Sequence, residues 1–335
     1  MTEKMLTDRP LRLVILGAGG IGCYYGARLL NAGHAMTFIA RGEHLVGLQR
    51  NGLQLKHPDF NYNGPVEALD LDSFVECYQP ADIDAILLCV KAIATRAVAS
   101  VLAGWFHASE QQCPVVSLQN GVDNELQLVT ALGEYPVLGG LAVRIGGHIA
   151  SPGVVEATGI AQVVLGAWPC AGSLSDKRYG ERLRMLVQAF NEAGIPTTQV
   201  DNIRRELWRK LIINNGVNPL SALTRLDTRA LSHHTEFGEI VLELMHETAR
   251  AAEADGEILT DQDVNEMYVL IREFDAIKTS MLVDLEKGRP LEVDAICGAV
   301  LQRMKQLGAT APYTQTVSAL LKHKLDQQVK ACGRA

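Results

Sequence analysis

No two of the seven cysteines in this 335-residue sequence form a C-x-x-C pair. Cys23, Cys77, Cys89, Cys113, Cys170, Cys297 and Cys332 are scattered, several of them inside apolar runs. Such spacing speaks against a disulfide framework or a cysteine zinc site, and predicts reduced thiols in the core of a cytoplasmic protein. Positive charge is also in short supply. Lys and Arg number 31 against 38 Asp and Glu, a net charge of −7, which argues against a nucleic-acid surface or a polybasic membrane patch. No apolar stretch reaches the length of a bilayer span. The opening MTEKMLTDRP is polar, without the apolar core of a secretory signal. The histidines do not cluster with carboxylates at ligand spacing. His233 and His234 are adjacent, so a helix would turn them to different faces, and no metal site is expected.

What is present is an ordinary globular composition, 47% hydrophobic and 21% charged, in a chain long enough for two domains. LRLVILG (11–17) is a continuous apolar run, as suits a central parallel strand buried on both faces. A glycine-rich turn follows, then a helix in IGCYYGARLLNAGH with Gly33 as its stop, then a second strand in AMTFIAR. Strands ending at Lys91 and at Asn120–Gly121 alternate with helical segments, and PVLGGLAVRI reads as one more strand. This alternation predicts a doubly wound parallel sheet. GVVEATGIAQVVLGAW (153–168) reads as two short strands around a hairpin turn at Thr158–Gly159. A helix near 176–193 and a strand in IPTTQV follow. Beyond Asp201 the pattern is helical, five or six helices with stops at Gly256, Gly288 and Gly308. The expected organisation is a Rossmann-like α/β dinucleotide-binding domain over 1–201 and an all-α domain over 202–335.

GAGGIG is a G-x-G-x-x-G fingerprint. Gly17 permits the tight turn, Gly19 the approach of a pyrophosphate, and Gly22 close packing of helix on strand. The backbone from Gly17 through Ala18, Gly19, Gly20 and Ile21 to Gly22 is the expected phosphate cradle, backed by the helix N-terminus. Arg41 ends the second strand, where a guanidinium can pair with the 2′-phosphate of NADP or stack on adenine. Glu43, two residues on, could instead hold a ribose hydroxyl.

The second constellation is NIRRELWRKLIINNGVNPLSALTRL. Its apolar stripe Ile203, Leu207, Leu211 continues by helical steps onto Asn214 and Asn218, so amides stand at core positions. Lys210, Asn214 and Asn218 fall on one row at i, i+4, i+8. A buried amide needs hydrogen-bond partners, which a polar ligand could supply. Alternatively, the asparagines cap the helix before Pro219 or bond to the next helix, and Lys210 is one more solvated charge beside Arg204, Arg205 and Arg209.

Together the fingerprint, Arg41, the strand-end VKA, QNG, LWRKLIINNGVNP and SMLVDLEKGRPLEVDAI resemble the ketopantoate reductase (2-dehydropantoate 2-reductase) family, in order and over nearly the whole chain. The resemblance implies NADPH-dependent reduction of ketopantoate to (R)-pantoate, on the way to pantothenate and coenzyme A. It places the family's catalytic lysine on Lys210 and its essential glutamate on Glu292. It places substrate contacts on Asn214, Asn218 and Ser280, and nicotinamide-end contacts on Lys91 and Asn120, the latter also near substrate. Lys210, protonated at neutral pH like an ordinary lysine, would serve as general acid. Glu292 would bind the substrate hydroxyl and orient Lys210. On the residues alone it is an ordinary first-turn glutamate of a helix that Pro290 opens. The family includes monomers and homodimers. The departure from the pattern is extra length, at the N-terminus and in GLQRNGLQLKHPDFNYNGPV. Two other readings stand: a paralogous reductase of another 2-keto acid, and a non-catalytic sensor that binds NADPH without turnover.

Overall fold

The computed structural model describes residues 9–134, 136–273 and 276–332, with the backbone alone for 328–332. The Cys332 side chain and residues 1–8 of the N-terminal extension lie outside the described residues. The chain divides into two compact units, one running to Gln119 and resuming over Asn124–Ile203, the other made of Asn120–Asp123 and the chain from Arg204 onward.

The first unit runs β1 (Arg12–Leu16), α1 (Gly20–Asn31), β2 (Ala35–Ile39), α2 (Gly42–Asn51), β3 (Leu53–Lys56), β4 (Tyr62–Gly64), β5 (Glu67–Leu69) and α3 (Leu71–Cys77). It continues with β6 (Ala85–Leu88), α4 (Thr95–His107), β7 (Val115–Ser117), α5 (Asn124–Leu132), β8 (Val137–Ser151), β9 (Val154–Ala167), α6 (Leu174–Glu192) and β10 (Thr197–Gln199). Strands β5, β2, β1, β6, β7 and β8 lie side by side in that order, all parallel. This is the dinucleotide-binding order, with its switch point between β1 and β6. The apolar run of β1 is buried on both faces, as the absence of alternation predicts. Leu13, Ile15, Phe38, Leu87 and Val116 pack with Tyr25 and Leu29 of α1 and Leu183, Leu186 and Phe190 of α6 in one core.

The sheet is mixed rather than purely parallel. β9 runs antiparallel to β8, and β3 antiparallel to β4. The expected hairpin at Thr158–Gly159 does not form. β9 passes straight through those residues as one 14-residue strand. Gly159, at φ +98°, instead absorbs a bulge, where pairing jumps from Val143–Gln162 to Ile145–Gly159. The turn that joins β8 to β9 is at Pro152–Gly153, with Gly153 at φ +80°. The extra segment GLQRNGLQLKHPDFNYNGPV folds as the end of α2 and the β3–β4 hairpin, with β3 added to the N-terminal half of β9.

The second unit is helical among its described residues: α7 (Ile203–Thr224), α8 (Thr228–His233), α9 (Thr235–Ala251), α10 (Asp261–Glu273), α11 (Ser280–Glu286), α12 (Ala299–Gln306) and α13 (Pro312–Cys332). These seven described α-helices exceed the five or six that the periodicity suggested. Gly256, Gly288 and Gly308 do close their helices, each at positive φ. α7 does not stop before Pro219 but continues through it to Thr224. The asparagines are therefore interior helix residues, and the proline removes one N–H from the ladder and crowds the Asn215 carbonyl one turn back. Pro290 lies ahead of its helix, not in the first turn. Helical structure begins at Val293 and runs through a π-helical turn, Asp294–Gly298, into α12.

Candidate active site

The first unit presents the fingerprint at the switch point. Gly17 turns at φ +111°, and a Cβ there would lie 2.6 Å from the Val90 nitrogen just beyond β6. A Cβ on Gly22 would lie 2.3 Å from the Gly17 carbonyl oxygen, so only glycine lets α1 sit this close to its strand. A Cβ on Gly19 would meet nothing. The amides of Gly17 and Ala18 both donate to the Ile39 carbonyl, and the Gly19 amide to Gly17, while Cys23 starts the helical ladder by donating to Gly19. Ala18 is thus held by protein and does not point an amide outward. The amides of Gly20, Ile21 and Gly22 have no acceptor within the helix, and the positive dipole end lies there.

Two side chains flank this turn. Arg41 follows β2 as the exposed N-cap residue of α2, so a guanidinium and a second helix N-terminus share the end of β2. Lys91 stands three residues past β6, at the start of a 3-10 turn over Ala92–Ala94. Beneath them Gln119 is buried. Its amide donates to the Val90 carbonyl (2.9 Å) and to Thr95 Oγ1 (2.8 Å), and Thr95 donates to Asn124 (2.9 Å). His44 braces the turn from α2, accepting at Nδ1 from the Gly153 amide at 3.2 Å. Burial lowers its pKa against the Ala18 carbonyl hydrogen bond, which raises it. The sequence reading missed both supports, since neither residue belongs to a local motif.

In the second unit α7 carries Lys210, Asn214 and Asn218 on one row. The stripe Ile203, Leu207, Leu211 is buried as expected. Lys210 and Asn214 are half-buried and Asn218 is buried. The Asn214 amide nitrogen is buried and has no hydrogen-bond partner among the described residues, which leaves a donor that a polar ligand could satisfy. Its neighbour Asn215 does something different. It is fully buried and donates to Thr248 Oγ1 (2.9 Å) on α9 and Thr314 Oγ1 (3.0 Å) on α13, tying three helices together.

Asn120 is half-buried in the short segment that belongs to this unit, and Gly121 beside it turns at φ +99°. Ser280 is exposed as the first residue of α11, which Thr279 caps by accepting from the Leu282 amide at 3.2 Å. Glu292 is half-buried immediately before the helix and accepts the Ile296 amide at its carbonyl. A buried arginine escaped the sequence reading. Arg303 of α12, 4% exposed, occupies the apolar row beside Val300 and Met304, and that misplaced charge was the available signal. Burial pushes the Cys89, Cys113 and Cys297 thiols up to about 12, and Cys23 higher still. Cys77, expected in the core, is exposed at the end of α3.

The first unit can therefore hold a dinucleotide phosphate, and the second offers an ammonium and neutral amides to a polar substrate. Comparison with known proteins matches two family models to the chain. The model of the ketopantoate reductase PanE/ApbA domain matches residues 13–170, and that of the PanE/ApbA C-terminal domain matches residues 202–325. A 2-dehydropantoate 2-reductase from Pyrococcus horikoshii is 29% identical over 323 residues, covering 94% of this chain and 97% of its own. The crystal structure of a PanE/ApbA family ketopantoate reductase from Ralstonia eutropha JMP134 superposes with a TM-score of 0.82 at 29% identity, covering 95% and 99% of the two chains. A D-mandelate dehydrogenase in ternary complex with NADH and anilino(oxo)acetate reaches the same TM-score at 22% identity over 95% and 99%, a likeness of fold alone. With both of its halves matched in chain order, the protein is an oxidoreductase of the ketopantoate reductase PanE/ApbA family.

Proposed function

We propose that the protein reduces ketopantoate to (R)-pantoate with NADPH, with Lys210 as the general acid. The observation that carries this reading is the row on α7, where a half-buried lysine stands one turn from an amide donor that no group among the described residues satisfies. Cofactor would be held by the amides of Gly20, Ile21 and Gly22, with Gly17, Ala18 and Gly19 shaping the turn, and Arg41 would pair with the 2′-phosphate. Lys91 and Asn120 would contact its nicotinamide end. When bound, the reduced nicotinamide supplies the hydride.

The chain's own residues would do the rest. The Lys210 ammonium would stabilise negative charge growing on the ketone oxygen and deliver a proton to it. Asn214, Asn218, Ser280 and Asn120 would orient the carboxylate and hydroxyl of the substrate without adding repulsive charge. Glu292 would accept the substrate hydroxyl and set the direction of Lys210.

The test is NADPH oxidation with ketopantoate, run beside NADH and other 2-keto acids, for the wild type and Lys210→Ala. The expected result is turnover with ketopantoate that falls about 10²–10⁴-fold in the variant with NADPH affinity kept. Equal turnover by both proteins would remove Lys210 from the chemistry. Turnover of a different keto acid alone would make the protein a paralogous reductase, and NADPH binding without any turnover would make it a sensor.

A further inference from the structure

Arg303 is a buried cation with no role in the reading above. Its guanidinium meets Asp123 at 2.5 Å through Nη1, and Asp255 at 3.2 Å through both Nε and Nη2. Asp255 in turn accepts from the indole Nε1 of Trp208 at 3.2 Å, and the guanidinium carbon lies 5.8 Å from the Trp208 ring centroid. Trp208 is fully buried on α7, two residues before Lys210. Asp123 closes the four-residue segment that starts at Asn120. One guanidinium thus ties the Asn120 segment on one side to the Lys210 helix on the other.

Stability alone is a weak reason for such a cluster. A buried charge is costly to desolvate, and well-packed apolar residues usually hold helices together as firmly. What a charged fork adds is placement, because two of its donors hold Asp255 by hydrogen bonds while Nη1, which makes no hydrogen bond of good geometry among the described residues, draws in Asp123 as an ion pair. We propose that Arg303 is a positioning residue that holds Asn120 in register with Lys210 through Asp123 on one side and Asp255 with Trp208 on the other. This rests on the proposed roles of Asn120 and Lys210.

The test uses Asp123→Asn, which keeps the shape of the partly exposed carboxylate and leaves the Arg303–Asp255 contact in place, alongside Arg303→Met and Arg303→Lys. Hydrogen exchange of the 119–124 amides is measured with steady-state kinetics and melting temperature. We expect exchange at 120–123 to accelerate at least tenfold in Asp123→Asn. We expect kcat to fall about tenfold in the same variant and NADPH to bind less tightly, because Asn120 is placed against both substrate and cofactor, and Arg303→Lys to recover part of the loss that Arg303→Met shows. Unchanged exchange at 120–123 overturns the proposal, as does a lower melting temperature with kcat and KM unmoved. If the wild type proves inactive on every keto acid, the functional reading fails, and the exchange measurement still decides whether Arg303 and Asp123 hold the segment.

Discussion

Gly20 and Gly147 meet backbone to backbone where the first helix begins. A Cβ on Gly20 would lie 2.1 Å from the Gly147 carbonyl carbon and 2.2 Å from the His148 nitrogen. The outer half of β8 is thereby pressed against the N-terminus of α1. The third glycine of GAGG is thus a packing residue, while Gly19 before it faces open space in an ordinary extended conformation (φ −82°, ψ −165°). The two should separate cleanly. Gly20→Ala should lower stability by about 1–3 kcal/mol in urea unfolding, because two backbones must part. Gly19→Ala should stay within about 0.5 kcal/mol of wild type yet weaken dinucleotide binding more than tenfold, because the methyl occupies the approach of the phosphates. Full cofactor affinity in Gly19→Ala would place the pyrophosphate elsewhere.

Asn214 and Asn215 are neighbours in sequence with opposite duties. Asn215→Ala removes the donor shared by Thr248 and Thr314 from a fully buried site, and should cost about 2–3 kcal/mol of stability. Its effect on KM should be small in the folded enzyme. Asn214→Ala removes a buried donor that is unpaired among the described residues, so stability should hold or rise slightly while the substrate KM climbs. Urea midpoints and Michaelis curves for the pair check this, and a large stability loss in Asn214→Ala would assign that side chain to the scaffold.

Arg41 stands exposed at the N-cap of α2. A charge-assisted contact with a phosphate is worth about 1.5–3 kcal/mol, so Arg41→Ala should weaken NADPH by roughly ten- to a hundredfold. NADH, which lacks the 2′-phosphate, should lose far less. Fluorescence titration of both cofactors reads the difference, and equal losses would reduce Arg41 to a stacking contact.

Asp84 supplies a pH dependence remote from the chemistry. It is 2% exposed and accepts from Arg9 (2.7 and 3.0 Å), Arg182 (2.7 Å) and the Arg12 amide (2.9 Å). Burial pushes its carboxyl up, but the Arg9 hydrogen bonds, the Arg12 amide and the charges of Arg182 and Arg9 together hold it below the usual aspartate range. A folded-state pKa below the unfolded one means stability that is complete above the unfolded value of about 3.9 and is lost as pH falls through the folded one. Asp84→Asn should therefore cost about 1.5–3 kcal/mol at pH 7, and the gap to wild type should narrow as pH falls below the unfolded value of about 3.9. A gap independent of pH across that range would mean that Asp84 acts through its shape.

Much of this was legible in the chain because local pattern reports burial on an element's own faces. The run LVIL has no alternation, so it had to be a strand covered on both sides, and it is β1. The spacing of Ile203, Leu207 and Leu211 marked the buried face of α7 and put Lys210, Asn214 and Asn218 on a common row. The tight turn at Gly17 and the close packing at Gly22 followed from glycine chemistry at set offsets. Pattern could not say whether Thr158–Gly159 was a turn or a bulge, since a positive-φ glycine serves either, and the partner strand decided it. Nor could it tell Asn214 from Asn215, whose partner Thr314 stands 99 residues away. It gave Asn120 to the strand before it, whereas the fold groups Asn120–Asp123 with the helical unit. The sequence by itself determined which faces are apolar and which residue types stand at each turn. Only the tertiary structure decided the partners of its buried polar groups, because a hydrogen bond depends on what the far chain brings within 3 Å and not on the neighbours in sequence.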